Sequence, residues 1–332
     1  MQAVILREFG PIDGLEFTEV PDPSPGPDDV VVAVRAVAAN YVDLLVIAGS
    51  YQFLPARPFS PGKLPVGDVI ATGTNVTGLK PGDRVLTLAE AGGYAERVCV
   101  PAGQCYILPG AMTYVEAATM SLAYDTAWFA LRERARYQTG EKVLVLGASG
   151  SVGLAAVQLA KAFGAFVIGG VARPDAAQRV RDAGADAIVD LSQPNLNDAL
   201  RERVREATGG DGVDIVLDPL GGEFFTAALR ALAWCGRLVV IGFAAGTIPS
   251  VKANYLLVKN IEVSGLQISD YRKRKPALMA ACIAELFALV QSGALRIPEA
   301  TTYRLEDFSS ALHALHDRTK RGRIVLTPQR AG

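Results

Sequence analysis

One stretch constrains the fold of this chain more than any other, KVLVLGASGSVGLAAVQLAK at residues 142–161. It opens as a continuous apolar run of strand length. It then turns through glycines spaced Ala148-x-Gly150-x-x-Gly153, preceded by Gly147, and continues with helical spacing. Gly147 permits the turn out of the strand, Gly150 lets the backbone approach a pyrophosphate, and Gly153 allows close helix–strand packing. The helix N-terminus then offers free N–H groups and the positive end of a dipole to an anion. A glycine triplet alone is weak evidence. In strand–turn–helix order it predicts a dinucleotide-binding unit.

The next strand bears on which dinucleotide. A carboxylate at its tip would bind a ribose 2′-OH, whereas a 2′-phosphate needs a cation. That strand, FVIGGV at 166–171, runs on into ARPD, so Arg173 stands at the tip and Asp175 lies beyond it. The expected cofactor is therefore NADPH.

Downstream, DAIVD (186–190), VDIVLD (213–218) and RLVVIG (237–242) alternate with helical spacing over 174–183, 197–208 and 223–233. Such alternation builds a doubly wound parallel sheet, the Rossmann arrangement, and sets the class as α/β. The chain before residue 110 reads differently. Short apolar runs at 30–34, 69–71 and 84–88, set between turn clusters such as PDPSPGPDD and LKPGD, predict a compact β-rich domain. Helical spacing over 115–136 links the two. After Gly265 the alternation stops. Helices are predicted from Pro276 to about Ser292 and over 308–316, and RIVLTP (323–328) closes as a strand. This tail is short for a domain of its own. The expected division is thus 1–120 with 267–332 for the β-rich domain and 121–266 for the NADPH-binding domain.

Composition excludes several classes. Apolar residues make up 50% and charged residues 20%, which suits a packed core rather than a disordered chain. Lys+Arg at 33 against Asp+Glu at 34 leaves no broad basic field, which argues against nucleic acid as a partner. The most apolar stretch, 227–246, contains Arg230 and Arg237, so no membrane span is expected. Four cysteines without a C-x-x-C pair, and an N-terminus that meets Arg7 and Glu8 early, point to the cytoplasm. The only histidines, His313 and His316, have no third ligand nearby in sequence, and Cys99 and Cys105 have no histidine partner. No metal is expected. The run Tyr271-Arg272-Lys273-Arg274-Lys275 reads as a solvated loop before the Pro276 helix. Its rival reading is a phosphate-holding patch of an NADPH-binding sensor or RNA-binding protein. The segment IEVSGLQI (261–268) reads as an edge strand open to pairing.

The motifs AANYVDLLVIAGSY (38–51), GDRV (82–85), GGYAE (92–96), GASGSVGLAAVQLAK (147–161), DAGADAIVD (182–190), ATGGDGVDIVLDPLGG (207–222) and RGRIVL (321–326) span nearly the whole chain. Together they resemble the zinc-independent quinone oxidoreductase branch of the medium-chain dehydrogenase/reductase superfamily, the zeta-crystallin-like enzymes. The resemblance implies a GroES-like barrel for the β-rich domain and a homodimer. It implies that Asn40, Asp43 and Tyr51 surround the substrate and that Thr126 and Leu266 flank the nicotinamide. It assigns the pyrophosphate to Ser149, Gly150, Ser151 and Val152. It sets Asp218 under the cofactor, with Gly242 and Phe243 at the next strand end, and directs Arg318 to the 2′-phosphate. In zinc members a catalytic Cys falls where Asn40 stands, and a His–Glu pair where Lys63 and Leu64 stand. Zinc-free members commonly keep a carboxylate at the Leu64 position, so Lys63-Leu64 is a departure. Ala176 and Asp190 stand where relatives often hold the phosphate with Lys and Tyr, which leaves that task to Arg173 and Arg318.

The chemistry implied is metal-free hydride transfer to a quinone or similar conjugated carbonyl. Tyr51 and Asn40 would donate hydrogen bonds to the developing oxyanion. A Lys63 facing the pocket would favour acceptors carrying a carboxylate or phosphate. Reduction of an enoyl thioester or enone is the alternative with the same fold and cofactor.

Overall fold

The computed structural model describes residues 1–317 and 322–328. Its contacts divide into two units. One holds Met1–Leu122 with the described residues from Ile297 onward, and the other holds Ala123–Arg296.

In chain order the first unit begins with β1 (Gln2–Leu6), β2 (Leu15–Glu19), β3 (Asp29–Ala39), α1 (Tyr41–Ile47), β4 (Val66–Thr72), β5 (Arg84–Thr87), β6 (Arg97–Pro101), β7 (Cys105–Ile107) and α2 (Tyr114–Met120). The second unit follows with α3 (Ala123–Phe129), β8 (Lys142–Val145), α4 (Ser151–Ala162), β9 (Phe166–Val171), α5 (Ala177–Asp182), β10 (Ala187–Asp190) and α6 (Leu196–Thr208). It continues with β11 (Val213–Asp218), α7 (Gly222–Ala231), β12 (Leu232–Val240), α8 (Ala253–Lys259), β13 (Glu262–Gly265), α9 (Ile268–Arg274) and α10 (Pro276–Gln291). The chain then returns to the first unit with β14 (Ala300–Arg304), α11 (Phe308–His316) and β15 (Arg323–Thr327).

The first unit is a β-rich body. Its larger sheet runs β14-β15-β3-β4-β5-β7, with β6 also paired to β3. Strand β3 is central because Val30, Val32, Val34, Val37 and Ala39 feed its core. Leu326, from the far end of the chain, pairs with Val37 in antiparallel register.

The second unit is a parallel sheet of order β10-β9-β8-β11-β12-β13, with β8 near its centre and β13 at one edge. Helix α6 shows how sequence dictates position. Leu196, Leu200, Val204 and Thr208 recur at helical spacing and are buried, while the charged residues between them face out.

Three expectations change. Helices α9 and α10 belong to the second unit, not to the β-rich one, so residues 267–296 were assigned to the wrong side of the boundary. Helix α10 packs on α3, and that long-range contact has no local sequence signal. The helical spacing over 115–136 is broken rather than continuous. Thr113 and Glu116 cap α2 reciprocally, Leu122 adopts φ +63°, and a π-helical turn follows α3 at Ala130–Arg134. The basic run at 271–275 is not a solvated loop. Most of it ends α9, and Arg272 is buried. Its four cations therefore do not form one face for nucleic acid.

Candidate functional site

Apart from Thr126 and Arg318, the residues expected to hold a dinucleotide lie at or just beyond the carboxyl ends of the parallel strands, where such sheets bind ligands. After β8 the chain turns at Gly147, with φ +59°. Gly150 then caps α4 with no side-chain hydrogen bond, so its first turn keeps N–H groups for an incoming anion. A Cβ on Gly153 would stand 2.2 Å from the Gly147 carbonyl oxygen, which is why only glycine fits there. A Cβ on Gly150 would meet the same oxygen at 3.3 Å, a close approach that a shift of a few tenths of an ångström relieves. Ser149, Gly150, Ser151 and Val152 remain at least partly exposed around this turn.

Beyond β9, Arg173 keeps 59% of its side chain exposed and stands 3.9 Å from the Asp175 carboxylate. Asp190 ends β10 and accepts hydrogen bonds from Ser192 and Gln193, which hold its carboxyl below the ordinary range. Asp218 ends β11 fully buried. Its Oδ1 accepts the N–H groups of Leu220 and Gly221 at 2.8 and 2.9 Å. Its Oδ2 is buried with no hydrogen-bond partner among the described residues. Burial pushes this carboxyl up, against the pull of those two N–H groups. Gly242 and Phe243 follow β12, and the Phe243 ring lies where a Gly221 side chain would go, 2.9 Å from its Cβ position. Leu266 follows β13 and donates its N–H to Val240. Thr126 sits buried on α3, its N–H donated to Asp125 Oδ1 at 2.6 Å. Arg318 lies outside the described residues. The glycine cradle, the uncapped α4 and the open Oδ2 of Asp218 fit a bound dinucleotide.

The first unit carries the other cluster. Asn40 precedes α1, and its N–H donates to Asp43 Oδ2 at 2.8 Å. The Asn40 amide is engaged at both ends: Nδ2 donates to Ala38 O at 3.0 Å, and Oδ1 accepts from Arg323 Nη2 at 3.0 Å. Asp43 also accepts from the Tyr94 hydroxyl at 2.9 Å. Burial raises the Asp43 carboxyl, while the Asn40 N–H, the Lys63 charge and the Tyr94 hydroxyl draw it back. The same burial, with Asp43 beside it, pushes Tyr94 well above its ordinary value. Lys63 is not a lysine in solvent. It is buried, donates to Glu90 Oε2 at 2.5 Å, and lies 5.6 Å from the centre of the Tyr51 ring. Sequence reasoning missed Tyr94, Glu90 and Arg323 as partners. Tyr94 and Arg323 stood inside quoted motifs, GGYAE and RGRIVL, whereas nothing in sequence marked Glu90. Among the described residues no group of three or more His, Cys, Asp or Glu side chains is placed to hold a metal ion.

This pairing of a β-rich body with a parallel dinucleotide-type sheet is the architecture of alcohol-dehydrogenase-like chains. Comparison with known proteins agrees. Residues 26–110 match the alcohol dehydrogenase GroES-like domain model and residues 151–285 the zinc-binding dehydrogenase model. Quinone oxidoreductase-like protein 2 of Mus musculus is 34% identical over 94% of this chain and 89% of its own. The Escherichia coli quinone oxidoreductase structure, complexed with NADPH, aligns over 99% of this chain and 100% of its own, at 29% identity and TM-score 0.91. CurK enoyl reductase aligns over 98% of both chains at 25% identity and TM-score 0.88. The chain belongs to the zinc-independent quinone oxidoreductase branch of the medium-chain dehydrogenase/reductase superfamily.

Proposed function

We propose that this chain is an NADPH-dependent oxidoreductase whose acceptor is a quinone or a similar conjugated carbonyl. The observation that carries the reading is the cradle between β8 and α4, which turns at Gly147 with φ +59° and where Gly153 leaves room that no side chain allows. The NADPH-bound Escherichia coli relative supports it. When bound, NADPH supplies a hydride from its nicotinamide. The residues of this chain bind and orient. The first turn of α4 faces the pyrophosphate, and Arg173 supplies a cation at the tip of β9 for a 2′-phosphate. Thr126 and Leu266 flank the nicotinamide, and Tyr51 borders the acceptor. Asn40, with both ends of its amide engaged, positions α1 and Asp43 rather than binding the oxyanion.

Titration of NADPH and NADH by fluorescence tests this, in the wild type and in Arg173→Ala. NADPH should bind more tightly, and the variant should lose most of that preference with little change for NADH. Equal binding of both nucleotides would make Arg173 a bystander. Binding of neither would end the reading.

Enoyl-thioester reduction is the second reading, supported by the likeness to CurK enoyl reductase. We further propose a cytoplasmic homodimer. Its support is the edge strand β13 and the exposed Leu257 and Val258 on the neighbouring α8. A monomer mass by light scattering at micromolar concentration would refute the dimer.

A further inference from the structure

Helices α6, α7 and α8 of the second unit each end just before the next strand begins, ahead of β11, β12 and β13. Those strands are parallel neighbours, so the three last turns lie at the amino ends of the strands, opposite the glycine cradle. Arg205 and Arg230 stand in the last turns of α6 and α7, and Lys259 is the last residue of α8. The half-buried Lys259 Nζ donates to Arg230 O at 3.1 Å and to Leu232 O at 2.7 Å. One of its three N–H donors is left over. Burial lowers the Lys259 ammonium below its ordinary range, and the charges of Arg201, Arg205 and Arg230 lower it further. Arg201 and Arg205 are four apart on α6 and share a face. The ion pairs of α6 are Arg203–Glu206 and Asp198–Arg230. Among the described residues no carboxylate pairs with Arg201, Arg205 or Lys259, and Glu202, beside Arg201 in sequence, pairs with neither arginine. A helix dipole favours one cation at each C-terminal turn. It does not explain Arg201, in mid-helix, or the crowding of like charges, which repel at this spacing. Over the whole chain Asp+Glu outnumber Lys+Arg, 34 to 33, so this local excess is not a product of composition.

We propose that Arg201, Arg205, Arg230 and Lys259 form a binding site for a phosphate-bearing anion at the amino ends of β11, β12 and β13. With Asp198 paired to Arg230, three of the four positive charges remain unmatched. A phosphoryl group carries about 1.5 to 2 negative charges on one centre. One or two such groups match this excess, where a lone carboxylate does not. Each guanidinium offers a planar fork of donors that suits phosphate oxygens, and Lys259, anchored on two carbonyls, offers a fixed point charge. The site uses no part of the β8–α4 turn and no residue assigned to the dinucleotide. It is therefore a second anion site, and it does not depend on the oxidoreductase reading.

The test is calorimetric titration of the full chain with sodium pyrophosphate at low ionic strength, with and without saturating NADPH to fill the cradle. The wild type should bind pyrophosphate in both conditions. The double variant Arg201→Gln/Arg205→Gln should bind about tenfold or more weakly, the factor expected from losing a hydrogen bond between charged groups. Arg203→Gln, on the same helix but paired with Glu206, should bind as the wild type does. If the double variant fails to fold, Arg205→Gln, at an exposed position, decides by the same loss of affinity. Vesicles then separate the two sources of phosphate. Cosedimentation with phosphatidylserine vesicles but not with phosphatidylcholine vesicles assigns an anionic lipid headgroup, and cosedimentation with neither assigns a free phosphorylated molecule. No pyrophosphate binding by the wild type, unchanged binding in the double variant, or an equal loss in Arg203→Gln would each overturn the proposal. So would pyrophosphate binding that NADPH abolishes, because the anion would then sit in the cradle. Failure of NADPH to bind at all would remove the oxidoreductase reading instead, and the double variant would still decide this site.

Discussion

Arg272 and Asp125 meet as an ion pair shut off from solvent, each side chain 2% exposed and Nη2 2.6 Å from Oδ2. The pair joins positions 147 residues apart in sequence. The other oxygen of Asp125 accepts the Thr126 N–H. Helix α3, which bears Thr126, is therefore pinned to α9, which begins just after Leu266. Burial of the Cys282 thiol beside this pair raises its pKa well above the usual thiol range, and Asp125 and Glu285 add to the effect.

Removing one partner should be worse than removing both. Arg272→Met leaves a buried carboxylate without compensation and should cost about 3–5 kcal/mol in urea unfolding. The double variant Asp125→Leu/Arg272→Met should recover most of that loss. Additive losses in the double variant would refute the coupling.

The glycines of the β8–α4 turn should separate by the space around them. Gly153→Ala drives a methyl into the Gly147 carbonyl, at 2.2 Å, and overpacking of this kind costs about 1–3 kcal/mol. It should lower Tm and weaken nucleotide binding together. Gly150→Ala, with 3.3 Å of room, should keep Tm close to wild type and weaken nucleotide binding alone. Similar Tm values for the two variants would contradict the geometry.

Stability should depend on pH through Asp43. Burial holds its folded-state carboxyl above the ordinary 3.8, so the folded protein binds the proton more tightly than the unfolded chain. The contribution is complete below 3.8 and is lost as pH rises through the folded value. The difference in unfolding free energy between wild type and Asp43→Asn should fall over that interval and level off above it. Tyr94→Phe removes a donor to the carboxylate and should move the interval to higher pH, with a loss of about 1–3 kcal/mol at neutrality. A flat difference across acid pH would show that Asp43 does not titrate this way.

The cysteines should differ in reach. Burial pushes the Cys105 thiol up to about 12, and Cys282 is also raised, while Cys235 is exposed. Iodoacetamide near neutral pH should label Cys235 in the folded protein and the other two only after denaturation. Mass spectrometry of the labelled peptides reads this directly, and early labelling of Cys105 would overturn it.

The parts of this molecule legible in sequence are those with a local cause. The β8–α4 turn shows itself because strand, glycines and helix are consecutive. Helix α6 shows itself because Leu196, Leu200 and Val204 repeat along one stripe. Strand β15 was marked by its apolar run at 323–327. What stayed hidden depends on meetings between distant residues. Residues 267–296 were misplaced because their side of the boundary is set by Asp125 and by packing on α3. Arg272 looked like one cation in a basic run, and only its distant partner shows it to be buried. The partner of Lys63 stayed hidden because Glu90, 27 residues on, carries no pattern.

Strand β3 takes β15 as a neighbour, and β15 lies beyond the whole of the second unit in sequence. On the ribosome this sets an order. The parallel sheet has all its strands once residue 265 has emerged, whereas the sheet built on β3 must wait for residues 323–327. Until then β3 presents an unpaired edge along Val37, Ala38 and Ala39, the residues that later face Leu326, Val325 and Ile324. The nascent chain therefore carries an aggregation hazard along β3 throughout synthesis of the second unit, and β15 is the strand that removes it.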